Sequence, residues 1–217
     1  MVRLILVRHG QTESNVRGLL DAALPGPPLN DLGREQAAAL PARLAGERIE
    51  RIVVSPLART VETAQPLLVA TGLTATSDLR LREVQAGDLE GFHDHESVMV
   101  YLETVFAWAE GDLSARVPGS PEDGHDFFRR VDAAVADAVD GLGDDAAVVC
   151  VSHGATVRTW SSVRGANVPD DHGRDHGLPN TGIVVLQGAP GAWRVVEWQG
   201  DRFGDVEDDP TGAAVPE

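Results

Sequence analysis

The chain has 217 residues, of which 42% are hydrophobic and 24% charged, and its formal net charge is −16. That length suits one domain with a real core, and no apolar run is long enough to span a bilayer. The acidic balance argues against nucleic acid or an anionic membrane as partner, because no basic surplus is available to neutralise phosphates. Every one of the 18 basic side chains is an arginine, which excludes a Walker-type lysine and a Schiff-base lysine. The N-terminal apolar stretch, residues 4–7, is too short for a signal-peptide core. The lone Cys150 cannot form an internal disulfide and fits a reducing compartment, so a cytoplasmic location is expected.

In chain order, residues 3–7 are apolar and β-branched enough for a buried strand that ends at Arg8-His9-Gly10. Residues 18–28, rich in Gly and Pro, read as loop. Asn30 is expected to cap a helix running to about residue 45, with Leu32, Ala39, Leu40 and Leu44 on its buried face. A short strand over residues 52–55 precedes a helix over 57–70, in which Pro66 is a potential kink. Residues 81–91 read as irregular, and helices follow over 97–109 and 123–142. The run AAVVCVS, residues 146–152, is a second buried strand leading into a helix from about residue 155. Residues 167–180 form a polar loop, and 183–186 with 193–198 read as a hairpin. Strands that are unbroken apolar runs, alternating with helices, imply a single α/β domain with a mostly parallel sheet covered by helices on both faces. The domain is expected over residues 1–204. The acidic remainder, 205–217, reads as a disordered tail.

In such a sheet, ligands bind beyond the carboxyl ends of the strands. The first strand delivers Arg8 and His9 there, the second delivers Ser55 and, one turn into its helix, Arg59, and the AVVCVS strand delivers His153 and Gly154. The irregular segment adds Glu83. Two arginines, two histidines and one carboxylate suit phosphoryl transfer. Arg offers planar bidentate donors to a phosphate, a neutral imidazole can accept the phosphoryl group, and a carboxylic acid can protonate the leaving oxygen. Asp88 and Glu90 lie near Glu83 in sequence, and Asn15 can act as a helix cap as well as a ligand.

Four segments carry a resemblance to a known family. LVRHGQTESN (residues 6–15), SPLARTVETA (55–64), LREVQAGDLEG (81–91) and VSHGATVR (151–158) resemble, in order and spacing, the motifs of the histidine phosphatase superfamily, also called the phosphoglycerate mutase-like family. The resemblance implies that His9 is the phosphorylated nucleophile, that Arg8, Asn15, Arg59, His153 and Gly154 hold the phosphate, and that Glu83 is the proton donor and later the base. It implies no metal and no organic cofactor. The chain departs from the pattern at Asp21-Ala22-Ala23, where an acid would repel phosphate and no contacts are expected, at Leu89, where phosphatase members often carry Trp, and across PGSPEDGHDFF, residues 118–128.

Other candidates have bland readings. Arg82 and Arg158 are read as structural pairs for nearby acids, His93 and His95 as loop histidines rather than metal ligands, His172 and His176 as members of a polar surface loop, and Cys150 as core. Ser152 stands where a cysteine phosphatase loop would need its thiol. Residues 83–126 contain one arginine, Arg116, so the basic insertion of the mutase branch is missing and nothing there is seen to bind a carboxylate or second phosphate. The expected activity is hydrolysis of a small phosphorylated metabolite. A cofactor-dependent phosphoglycerate mutase is the runner-up, and a non-catalytic phospho-ligand module is the alternative from another class. The sequence leaves the oligomeric state open.

Overall fold

The computed structural model describes residues 1–169 and 171–203; the tail expected over 205–217 lies outside them. The strands are β1 (Val2–Arg8), β2 (Ile49–Val54), β3 (Ala75–Ser77), β4 (Ala147–Ser152), β5 (Ile183–Ala189), β6 (Ala192–Trp198) and β7 (Asp201–Arg202). They form one sheet in the order β3-β2-β4-β1-β5-β6-β7. The first four are parallel, and β5 to β7 continue the sheet antiparallel, with β5 and β6 forming the expected hairpin. The expected α/β architecture is borne out.

The helices are α1 (Glu13–Arg17), α2 (Asp31–Ala38), α3 (Leu40–Arg43), α4 (Ala58–Thr71), α5 (His95–Ala109), α6 (Gly124–Val139), α7 (Gly154–Arg164) and α8 (His172–Asp175). Side chains alternate across the strands, so even the unbroken apolar runs split into two cores. Ile5, Val7, Ile52, Val149 and Val151 pack against Leu40 and Leu44 of the α2–α3 region and Leu67 of α4. Leu4, Leu6, Val148 and Cys150 pack on the other face, under α5, α6 and α7. Cys150 is fully buried, as expected for core, and burial pushes its thiol up to about 12.

Two expectations about the first long helix need correcting. It breaks between Ala38 and Leu40, because Pro41 lacks the N–H that would continue the ladder. Its buried stripe is Gly33, Ala37, Leu40 and Leu44, whereas Leu32 and Ala39 face solvent. Gly33 is buried because the helix lies directly on the chain after β1. A Cβ on Gly33 would sit 2.1 Å from the Gln11 carbonyl oxygen, and one on Gly10 would sit 2.6 Å from that of Gly33. By contrast, α4 runs through Pro66 unbroken.

The segment 118–128 contributes a buried charge. Glu122, 3% exposed, pairs with Arg130 of α6 and with Arg82 at 3.0 Å, so Arg82 is paired as expected. Arg130 also donates to the carbonyls of Arg80 (2.6 Å) and Arg82 (2.9 Å), which pins the backbone on the approach to Glu83. Removing one member of such a buried set strands its partners. Glu122→Ala is therefore expected to lower unfolding free energy in urea by about 3–5 kcal/mol. Arg129→Ala, which removes the exposed pair with Asp126, should cost under about 1 kcal/mol. Equal losses for the two variants would refute this account of the segment.

Candidate active site

The strand ladder continues beyond the strands at one edge. The His9 N–H donates to Ser152 O at 3.0 Å and the Ser55 N–H to Val151 O at 3.0 Å. Because β2, β4 and β1 are consecutive in the sheet, the residues following them arrive together. A cavity of about 220 Å³ opens there, and its lining includes Arg8, His9, Asn15, Arg59, Glu83 and Gly154. His153 stands one layer behind. It is fully buried, with its ring 5.3 Å from that of His9 and edge-on to it, and its Nε2 lies 2.8 Å from Ser55 Oγ.

The loop after His9 is held from two sides. The Gly10 N–H donates to Thr63 Oγ1 of α4 (2.9 Å), and the Gln11 N–H donates to Gln36 Oε1 of α2 (2.9 Å). His9 Nδ1 lies 2.7 Å from the Gly10 carbonyl, and Arg59 Nε–H points at His9 Nε2 across 3.1 Å. Both imidazoles are held well below the ordinary histidine value of 6.5. Burial dominates for each, followed by Arg59 and Arg8 at His9, and by His9 and Arg59 at His153.

Arg8 donates to Leu178 O at 2.5 Å and Arg59 to Asp21 O at 2.8 Å. Arg8 Nε, Arg59 Nη1 and His153 Nδ1 are buried without a hydrogen-bond partner, Arg59 Nη1 standing 3.9 Å from Asp21 Oδ1. Asn15 closes a capping box with Thr12, and its Oδ1 accepts from the Thr12 N–H and from Asn180 Nδ2, both at 3.1 Å. Glu83 is bound by the start of α7. Its Oε1 accepts from the Val84 N–H (3.0 Å), the Thr156 N–H (2.9 Å) and Thr156 Oγ1 (2.9 Å), and its Oε2 from the Ala155 N–H (3.1 Å). Since α7 has no side-chain cap of its own, Glu83 satisfies N–H groups that every helix N-terminus leaves open. Of the neighbouring acids, Glu90 instead accepts from the N–H groups of Ala22 and Ala23.

A scan against family models matches residues 4–201 to the histidine phosphatase superfamily (branch 1). The chain belongs to the histidine phosphatase superfamily. Among relatives of this histidine phosphatase, the glucosyl-3-phosphoglycerate phosphatase of Mycolicibacterium vanbaalenii is 32% identical over 211 residues, covering 92% of each chain. A PE-PGRS family protein of Mycobacterium tuberculosis is 34% identical over 215 residues, 91% of this chain, which spans only 36% of that protein's length. The solved structure of a mycobacterial glucosyl-3-phosphoglycerate phosphatase with VO3 superposes with a TM-score of 0.76 at 31% identity, covering 92% of this chain and 99% of that one. The expectation of a histidine-type phosphatase is borne out.

Within this family member, one reading is overturned. Arg158 is no structural pair, because it makes no ion pair among the described residues. It lines the cavity with Nε buried and unpartnered, its guanidinium 5.1 Å from the Phe106 ring centre. The loop at Asp21 forms part of the cavity wall, although its two following N–H groups are occupied by Glu90. His172 stacks on His176 at 4.0 Å and meets Trp198 and Phe203, away from the cavity lining. No cluster of three or more potential metal ligands occurs among the described residues, His93 and His95 included. Sequence reading missed Ser55 as the partner of His153, and Leu178 and Asn180 as the residues that hold Arg8 and Asn15.

The two buried imidazoles tie stability to pH. Unfolded, each accepts a proton near 6.5; folded, each does so only well below. The unfolded state therefore binds more protons in mild acid, and stability is lost as pH falls through that range. In phosphate-free buffer, Tm should fall between about pH 7 and about pH 5, and His9→Asn should make the fall shallower. A slope unchanged by that variant would contradict the assignment.

Proposed function

We propose that the chain is a cytoplasmic, metal-independent phosphatase that hydrolyses the phosphate monoester of a small metabolite through a phosphohistidine on His9. The observation that carries this is the placement of the His9 lone pair. The Gly10 carbonyl can only accept, so Nδ1 carries the hydrogen, and Arg59 Nε can only donate, so Nε2 carries the lone pair. A neutral imidazole with its free nitrogen at the cavity is the form that attacks phosphorus.

The surroundings are suited to an incoming dianion. Each buried, unpartnered nitrogen of Arg8, Arg59 and His153 costs about 1–3 kcal/mol while unsatisfied, and phosphate oxygens supply the missing acceptors. With Asn15 Oδ1 already committed, its amide hydrogens remain to donate. Gly154 begins α7 and, with the N–H groups of Ala155 and Thr156 taken by Glu83, offers its own N–H to the anion. On phosphate binding, Arg59 gives up its hydrogen bond to His9 Nε2 and turns to the phosphate.

Nε2 then attacks phosphorus while the bond to the ester oxygen breaks, and Glu83 gives that oxygen a proton. Glu83 Oε1 is saturated by three donors whereas Oε2 accepts one, so Oε2 is the oxygen that carries the proton. In the second half, Glu83 takes a proton from water, the water oxygen bonds to phosphorus, the P–N bond breaks and inorganic phosphate leaves. The cytoplasmic location rests on the single reduced cysteine and on a chain in which no described helix is long and apolar enough to cross a membrane.

Phosphate release from an aryl phosphate should survive chelation, and a ³²P label trapped on the enzyme should be stable in base and lost in acid. His9→Ala should abolish label and turnover together. A label surviving in that variant places the nucleophile elsewhere.

Glu83→Gln tests the acid. An alkyl phosphate expels an alkoxide that needs a proton, whereas a nitrophenyl phosphate expels an anion stable without one. The first chemical step should slow by about 10²–10⁴ on the alkyl substrate and far less on the aryl one. Equal slowing would reject Glu83 as donor.

A further inference from the structure

We propose that Arg158 reads a carboxylate on the leaving group, so that the natural substrate is a phosphate monoester of a small hydroxy acid; this rests on the phosphatase reading above. The chain holds 34 acidic residues against 18 arginines, so an arginine without an acid partner is uncommon in it. Four arginines make no ion pair and no side-chain hydrogen bond among the described residues. Arg17, Arg194 and Arg202 are exposed, where water is an adequate partner, and only Arg158 is half-buried. Its Nε has no acceptor, and Phe106 covers one face of its guanidinium. The neighbouring carboxylate of Glu83 is turned to the N–H groups of α7 and does not pair with it. A desolvated cation held without a counter-ion in a ligand cavity is a cost that a bound anion relieves.

Geometry selects which part of the substrate it meets. Arg158 lies four residues beyond Gly154 on the same face of α7, about 6 Å along the helix axis. The phosphate, at His9, Arg8, Arg59 and Gly154, is therefore one helical turn away, a span suited to a short carbon chain. Tyr101 and Leu102 also line the cavity, and the Tyr101 hydroxyl is already committed to Val84 O. One planar guanidinium matches a monoanionic carboxylate in bidentate fashion. A second phosphate dianion would ask for more donors than this end supplies.

The test compares 3-phosphoglycerate with glycerol 3-phosphate, which differ by a carboxylate against a hydroxymethyl group. Binding is measured by calorimetry on His9→Ala, which cannot turn over, with and without Arg158→Gln. Carboxylate preference should be about 10- to 100-fold with Arg158 present and should vanish with Arg158→Gln, while Arg158→Lys retains part of it. No preference in the Arg158 protein, or an equal loss of affinity for both ligands on substitution, overturns the proposal; in the second case Arg158 serves the phosphate or the fold. Phosphate release from an aryl phosphate by the unsubstituted enzyme is scored in parallel. Failure there with the binding preference intact refutes the phosphatase reading and leaves the carboxylate site standing.

Discussion

The hydrogen bonds from His9 N–H to Ser152 O and from Ser55 N–H to Val151 O hold the site in register. They extend the β1–β4 and β2–β4 ladders one residue past the strands, so three chain segments distant in sequence leave the sheet side by side. Arg8 lies opposite Ser152 and Val7 opposite Val151, which leaves His9 and His153 to emerge as neighbours. A slip of one residue in β1 would exchange its two buried faces, Leu4 and Leu6 for Ile5 and Val7, and would turn His9 away from the cavity. The same burial that fixes the hydrophobic register thereby fixes the position of His9.

The electrostatics of the cavity run against those of the molecule. A net charge of −16 repels a phosphate dianion at long range, and the arginines of the site act within roughly 8 Å at physiological salt. They are effective there because burial removes competing water and because most of their fixed contacts are with backbone carbonyls, Leu178 O for Arg8 and Asp21 O for Arg59. Carbonyls orient a guanidinium without neutralising it, and the Asp21 carboxylate stays 3.9 Å from Arg59, beyond hydrogen-bond distance. Elsewhere in the chain arginines meet carboxylates directly, as Arg3 meets Glu47 and Arg164 meets Asp132, and their charge is spent on structure.

What the sequence disclosed follows from how local each signal is. The β1 and β4 runs and the residues just after them were legible because a buried parallel strand is a continuous apolar string, and its terminus marks a ligand edge. The four motifs added order and spacing. Leu32 and Ala39 were placed on the wrong face because apolarity alone was counted, whereas the helix presses its smallest residue, Gly33, on another backbone. Strand β3, Ala75–Ser77, carries no buried residue and is defined by pairing with β2, which no local pattern announces. Arg158 was misread for a related reason. In an acidic chain the default is that an arginine finds an acid, and only the three-dimensional commitments of Glu83 reveal that this one does not.

The contact of Gly10 with Gly33 separates importance from proximity. Gly33 belongs to a surface helix, does not line the cavity and carries no side chain, so inventories of chemical groups pass over it. Any added carbon there would displace the Gln11 carbonyl and, through it, the segment holding His9. Random mutagenesis scored by turnover would therefore mark two separate patches of sequence as one functional unit, one bearing the reactive groups and the other defined only by empty space. Designers who graft this site onto another scaffold would need to transplant that absence along with the side chains.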